Sequence, residues 1–155
     1  MDIRCAGVAD IAGMVTLSHQ KRLAYAAIQS QFWRYAEGAE ITQHAWFESL
    51  LMLSDYIVLV AEVDCQMSGF IIGHIVEAPA VYDPGGLTVT VDDFCVMSNE
   101  WMQIGVALNQ ALCEKAKEKG VVQMIVVCGA HDLAKKQFLV NAGLSVASEW
   151  YVGRI

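Results

Sequence analysis

Residues 93–97, Asp-Phe-Cys-Val-Met, followed after a short break by Met102-Gln103-Ile104-Gly105-Val106-Ala107-Leu108, constrain this chain most. They read as a strand that runs through a short loop into a helix. Backbone N–H groups at a helix start have no intrahelical partner and lie at the positive end of its dipole, so such a loop can cradle a phosphate. Gly105 presents no Cβ to obstruct the approach, and Ala107 only a methyl. A single glycine before a helix is equally compatible with a plain strand–helix turn, so the neighbouring segments have to decide.

Those segments alternate between strand and helix patterns. Ile3 and Cys5 alternate with polar partners, and Ile11, Met14, Val15 and Leu17 then recur at helical spacing. The stretch from Lys21 to Glu40 gathers Tyr25, Phe32, Trp33 and Tyr35 and closes at Gly38. Thr42 reads as the cap of a second helix carrying Trp46, Leu50 and Leu51. Residues 56–63 and 68–77 are β-branched apolar runs around Asp64-Cys65-Gln66-Met67, a hairpin signal. After Pro79 and Pro84-Gly85-Gly86, residues 87–91 alternate again, in a strand expected to continue to Val96 or Met97. The following helix places Leu108, Ala111, Leu112 and Ala116 on one face. It ends on Lys115, Lys117 and Lys119, with Gly120 as a left-handed stop. Residues 121–128 read as a buried strand. Asp132 or His131 caps a helix holding Leu133, Phe138 and Val140, Gly143 ends it, and residues 145–152 are expected to form a last strand.

A chain of 155 residues fits one domain, 1–155, with a single core. Hydrophobic residues make up 55% and the mean hydropathy is +0.40, yet the longest apolar runs, such as 57–63 and 124–128, are far too short to span a bilayer. No membrane partner is expected, and the apolar surplus points to a homodimer. Met1-Asp2-Ile3-Arg4-Cys5 lacks the basic and apolar regions of a secretory signal, so a cytoplasmic location is expected. Cys5, Cys65, Cys95, Cys113 and Cys128 contain no Cys-x-x-Cys pair, which argues against a disulfide framework and against a metal site. The net charge of −7 and pI near 4.9 oppose binding to nucleic acid and favour a cationic or neutral substrate.

Residues 92–120, the strand after them and residues 132–144 resemble the GCN5-related N-acetyltransferase (GNAT) family. Its acyl-CoA loop follows Gln/Arg-x-x-Gly-x-Gly/Ala; Met102, Gly105 and Ala107 stand at those places, Met102 departing from the usual Gln or Arg. The resemblance implies a GNAT-like α/β (α+β) fold: a largely antiparallel mixed sheet, flanked by helices and splayed at the acyl-CoA site. It implies acetyl-CoA, or another acyl-CoA, with its pantetheine arm on the backbone of Cys95, Val96 and Met97. Met102, Gln103 and the amides of Ile104, Gly105, Val106 and Ala107 would hold the phosphates, and Asp132, Lys135 and Phe138 of the last helix would complete the site.

Transfer of an acyl group to an amine needs a base for the amine and benefits from an acid for the departing thiolate. In the family that acid is often a Tyr four residues before the glycine that closes the last helix; here the position is Leu139. Either the thiolate leaves without side-chain help, or the protein holds acyl-CoA without efficient turnover. Asp92 and Asp93 are the candidate bases. Successive strand residues face opposite sides, so only one is expected to reach the cleft, and Glu77 is the third candidate. His74 ranks below them. No His partners Cys95, so direct transfer to a bound acceptor is preferred over an acyl-cysteine. Trp33, Tyr35 and Tyr82 are the candidates for a pocket taking a small-molecule or peptide amine. The expected function is an acyl-CoA-dependent N-acyltransferase; the alternatives are a catalytically weak or inactive acyl-CoA-binding protein and a dimeric scaffold.

Overall fold

The structure is a computed structural model that describes residues 1–155, with the side chain of Asn99 outside the description. Its elements run β1 (Asp2–Cys5), α1 (Ile11–Ile28), α2 (Ser30–Trp33), α3 (Ala39–Leu50), β2 (Tyr56–Val63), β3 (Gln66–Val76), β4 (Leu87–Val96), α4 (Val106–Glu118), β5 (Val121–Val126) and α5 (Leu133–Asn141). The five strands form one sheet in sequential order. The first three pairings are antiparallel and only β4–β5 is parallel, since α4 carries the chain back between those two strands.

Both faces of the sheet are covered, which is why β2 and β3 read as continuous apolar runs. Val58, Val60, Phe70 and Ile72 pack with Ile11, Met14, Leu17, Phe47 and Leu50 from α1 and α3. Leu59, Ile71, Val89, Val91 and Phe94 pack with Leu108 and Leu112 of α4 and Phe138 of α5. The β2–β3 hairpin turns on Asp64 and Cys65, both left-handed at φ 51° and 60°, the geometry that two-residue hairpin loops demand. Gly120 (φ 81°) and Gly143 (φ 86°) end α4 and α5 in the left-handed conformation, as the sequence implies.

Four readings need correction. Helix α1 runs on through Ile28, into the segment read as an aromatic connector. The next long helix starts at Ala39 rather than at Thr42, because Gly38 takes the left-handed conformation (φ 70°) and supplies the cap position. Residues 145–152 form no strand. Their alternation supplies β propensity, but a strand also needs a partner ladder, and Trp150 instead sits edge-on to Phe32 with ring centroids 6.2 Å apart. With no strand outside it, β5 is an edge strand rather than the buried one the sequence implied, with Val122 and Ile125 exposed and Val127, just past its end, exposed as well. No described helix is long and apolar enough to cross a membrane.

Candidate active site

The β4–β5 ladder stops at Val91↔Val126, while β4 continues to Val96. Past β5 the chain diverges through Gly129 and Asp132 into α5, so the end of β4 has no neighbour on that side. A cleft of about 420 Å³ opens in the gap, walled by Phe94, Cys95 and Val96 on one side, Gly129 to Ala134 on the other, and Lys21, Tyr25 and Trp33 above.

The upper wall follows from the periodicity of α1. Positions 11, 14, 18, 21 and 25 are spaced by three, four, three and four residues and so share one face. Ile11 and Met14 occupy the core end of that face, Lys21 and Tyr25 line the cleft at its other end, and Ser18 is buried between them. Ser18 Oγ donates to Asp93 Oδ2 at 2.7 Å, and the Lys21 ammonium pairs with Asp93 Oδ1. Gln43 Nε2 donates to Ser18 Oγ at 2.8 Å and Arg22 donates to it at 3.2 Å, tying α3 into the network. Burial alone would push the Asp93 carboxyl up. The Lys21 charge and the hydrogen bonds from Lys21 and Ser18 outweigh it and hold Asp93 below the usual carboxylate range. Lys21 is held above the ordinary lysine value: burial lowers it, and Asp93 more than restores it.

The second carboxylate behaves differently. Ile72 pairs with Asp93 and Gly73 with Val91, so Asp92 is the extra residue of a bulge and the strict alternation of β4 breaks there. The expectation that the two aspartates face opposite sides therefore does not hold in its simple form. Asp92 is exposed beside Thr90, His74 and Tyr56, outside the lining of the cleft. Burial of part of its carboxyl raises it above the usual range, against the opposing pull of His74 and of the Thr90 hydrogen bond. Glu77 is exposed one residue past the end of β3.

Tyr25 is a cleft residue that sequence reasoning missed, although its place on the α1 stripe signalled it. Its hydroxyl donates to Asp132 Oδ2 at 2.7 Å and accepts from the Gly129 amide at 3.4 Å. A Cβ on Gly129 would lie 2.9 Å from the tyrosine ring, so the close approach requires glycine. Burial, then Asp132, pushes the Tyr25 hydroxyl well above its ordinary pKa. The other Asp132 oxygen caps α5 by accepting from the Lys135 amide at 3.0 Å. Trp33 packs edge-on to Tyr25 at 5.0 Å and lines the cleft, whereas Tyr35 and Tyr82 are exposed and lie outside it.

Lys135 points inward, with 3% of its surface exposed. Its Nζ lies 5.5 Å over the Phe94 ring and 5.3 Å over the Trp101 ring, and among the described residues it makes no hydrogen bond or ion pair. Burial, and after it the Lys21 charge, lowers Lys135 to about 8. Phe138 is fully buried and brackets the same rings, 5.7 Å from Phe94 and 5.5 Å from Trp101; Leu139 is buried too. Lys136 is exposed.

The loop before α4 is a π turn over Trp101–Gly105. The amides of Gln103, Ile104 and Gly105 converge on the Glu100 carbonyl at 3.3, 2.9 and 3.3 Å, and the Val106 amide donates to the carbonyls of Gln103 and Trp101. Gly105 has φ −60°, which any residue adopts. A Cβ there would lie 3.0 Å from Trp101 Cε3, so in this conformation it is the indole that excludes a side chain. Met97, Met102 and Gln103 are exposed and Ala107 is half-buried.

An acyl-CoA can be tested against these groups. The unpaired end of β4 and the aromatic walls fit a pantetheine arm. The sequence implied free amides at this turn; those of Gln103, Ile104 and Gly105 are instead taken by the Glu100 carbonyl and that of Val106 by Gln103 and Trp101, so in this conformation none of the four is open to a diphosphate. Among the described residues, no cluster of His, Cys, Asp or Glu side chains is arranged to hold a metal ion.

A mixed sheet splayed at its parallel pair, with a cleft in the gap, is the architecture of the GNAT acetyltransferases, and the chain has that fold. No protein-family model matches the sequence, and no curated protein matches it either. Solved structures do. A point mutant of the BH1408 protein from Bacillus halodurans superposes with a TM-score of 0.86 at 20% identity, over 100% of this chain and 99% of that one. A ribosomal-protein-alanine N-acetyltransferase from Brucella melitensis biovar Abortus gives 0.67 at 20% identity, over 100% of both chains. A predicted acetyltransferase with acetyl-CoA from Clostridium acetobutylicum gives 0.75 at 14% identity, over 99% of this chain and 95% of that one. At these identities the likeness establishes the fold.

Proposed function

We propose that this protein is an acyl-CoA-dependent N-acyltransferase, most simply one that moves acetyl from acetyl-CoA to a primary amine by direct attack. The observation that carries the reading is the free end of β4 opening onto an aromatic-walled cleft where the β4–β5 ladder stops. The likeness to a structure with acetyl-CoA supports the choice of donor. The donor, when bound, supplies an activated acyl carbonyl. Cys95, Val96 and Met97 offer backbone groups to its arm and Asp132 shapes the far wall, while the turn from Met102 to Ala107 would have to release its amides from the carbonyls of Glu100, Trp101 and Gln103 to hold the diphosphate.

Of the two aspartates Asp92 has the raised carboxyl, while Asp93 is committed to Lys21 and Ser18; because Asp92 lies outside the cleft lining, it would take the amine's proton through water rather than by direct contact. Burial, then the neighbouring Asp93, pushes the Cys95 thiol up to about 12, so it stays protonated and an acyl-cysteine is disfavoured. The net charge of −7 favours a cationic amine, brought in beside Trp33 and Tyr25. We place the protein as a homodimer, on the strength of the exposed apolar residues along β5.

The test is the thermal midpoint over an acetyl-CoA series. A ligand at a hundred times its Kd stabilises the fold by about 2.7 kcal/mol. A saturable rise, followed by release of CoA thiol with one amine of a panel, is the expected result; no shift at millimolar acetyl-CoA would overturn the reading.

A further inference from the structure

We propose that the Lys135 ammonium meets the departing thiolate of the acyl donor, as its acid and its counter-charge. This role rests on the acyltransferase reading. Leu139 carries no proton to give, and Lys135 leaves α5 one turn earlier on the same face. It is a buried cation beside the gap with no carboxylate paired to it: Asp93 serves Lys21 and Ser18, and Asp132 on the cleft wall is taken by the Tyr25 hydroxyl and the Lys135 backbone amide. Lys135 Nζ lies over Phe94, on the part of β4 that β5 does not pair, and over Trp101; both rings line the cleft. An uncompensated cation held away from water stabilises a negative charge developing beside it far more than the same cation in solution. Its position near 8 makes it a readier proton donor than an ordinary lysine, while it remains largely charged at neutral pH.

The step balances. The neutral acceptor nitrogen bonds to the acyl carbon, the carbon–sulfur bond breaks with its electron pair on sulfur, and a proton passes from Lys135 Nζ to sulfur. The new amide sheds its extra proton to the base or to water, and Lys135 regains one from solvent.

The experiment binds coenzyme A to the wild-type protein, to Lys135→Met and to Lys135→Gln. It follows thiolate absorbance with pH, taking each protein without ligand as the baseline. The thiol bound to wild type should ionise about one pH unit or more below the thiol bound to either variant, a tenfold difference in the equilibrium. Turnover of acetyl-CoA should fall in both variants, and turnover of phenyl thioacetate, whose thiol is a better leaving group, should fall much less. Equal thiol ionisation in all three proteins, with coenzyme A bound, overturns this role alone. Acetylation of Lys135 itself, seen by mass spectrometry after incubation with acetyl-CoA, overturns it in favour of an acceptor. Failure of coenzyme A and acetyl-CoA to stabilise any of the three removes the acyltransferase reading and this role with it.

Discussion

Asp93 is held inside the protein by the Ser18 hydroxyl and the Lys21 ammonium, and a buried charge that loses its partner is costly. Asp93→Asn strands Lys21 beside the unpaired charge of Lys135, and chemical denaturation should read a loss of about 3–5 kcal/mol. Lys135 shows the reverse case, a charge that burial already disfavours. Its folded-state pKa lies below its unfolded value, near 8 against 10.5. The folded chain therefore binds fewer protons between those values, and stability rises with pH across that window. Below pH 8 both states are charged and the cost is fully present; above 10.5 both are neutral and it is gone. Lys135→Met should stabilise the protein by on the order of 1–3 kcal/mol at pH 7, with the gain fading as melting is repeated toward pH 10.5. Asp93 was legible as a candidate because a carboxylate entering a phosphate loop is conspicuous. Lys21 and Ser18 were not, because their pairing with Asp93 spans more than 70 residues of chain.

At the scale of elements, the α1 stripe and the turn before α4 carry the site. The stripe was there to read: polar residues at 18, 21 and 25 continue an apolar register, which marks a helix leaving the core for a cleft. The turn was legible as strand, loop and helix, but not as a π turn whose amides close on Glu100, since that depends on where Trp101 packs. Gly105→Val places a branched side chain against the indole, 3.0 Å from its Cβ. The ligand-free protein should lose about 1–3 kcal/mol and its tryptophan emission should shift. An unchanged melting point would show that the indole moves aside freely. The bulge at Asp92 was likewise invisible, because an extra residue in one strand shows only against its partner, here Ile72 and Gly73 of β3.

For the whole molecule, the exposed edge of β5 is the feature with the widest consequence. If the homodimer forms through that edge, light scattering should report about twice the 17.0 kDa of one chain, and Ile125→Lys should return the monomer mass. The residues after Leu144 make few buried contacts, Val146, Trp150 and Tyr151 being 77%, 80% and 88% exposed. A chain ending at Leu144 should therefore melt within a few degrees of the full one, whereas a larger drop would mean that this segment is ordered against a partner.

The sequence by itself determined the order of the strands and long helices, the glycine stops at 120 and 143, the Asp132 cap and the strand–loop–helix unit before α4. These are local: each is set by periodicity, capping or a φ that one residue type prefers, within a few positions of chain. The parting of β4 and β5 was implied only by the family resemblance; tertiary structure alone decided that their ladder ends at Val91 and Val126 and that residues 145–152 stay out of the sheet. It also decided that Tyr25 rests on Gly129, that Asp93 is neutralised by Lys21 and that Lys135 is buried without a counter-charge. Those outcomes depend on which distant groups meet away from water, where a charge is stabilised or penalised by its neighbours and not by its place in the chain.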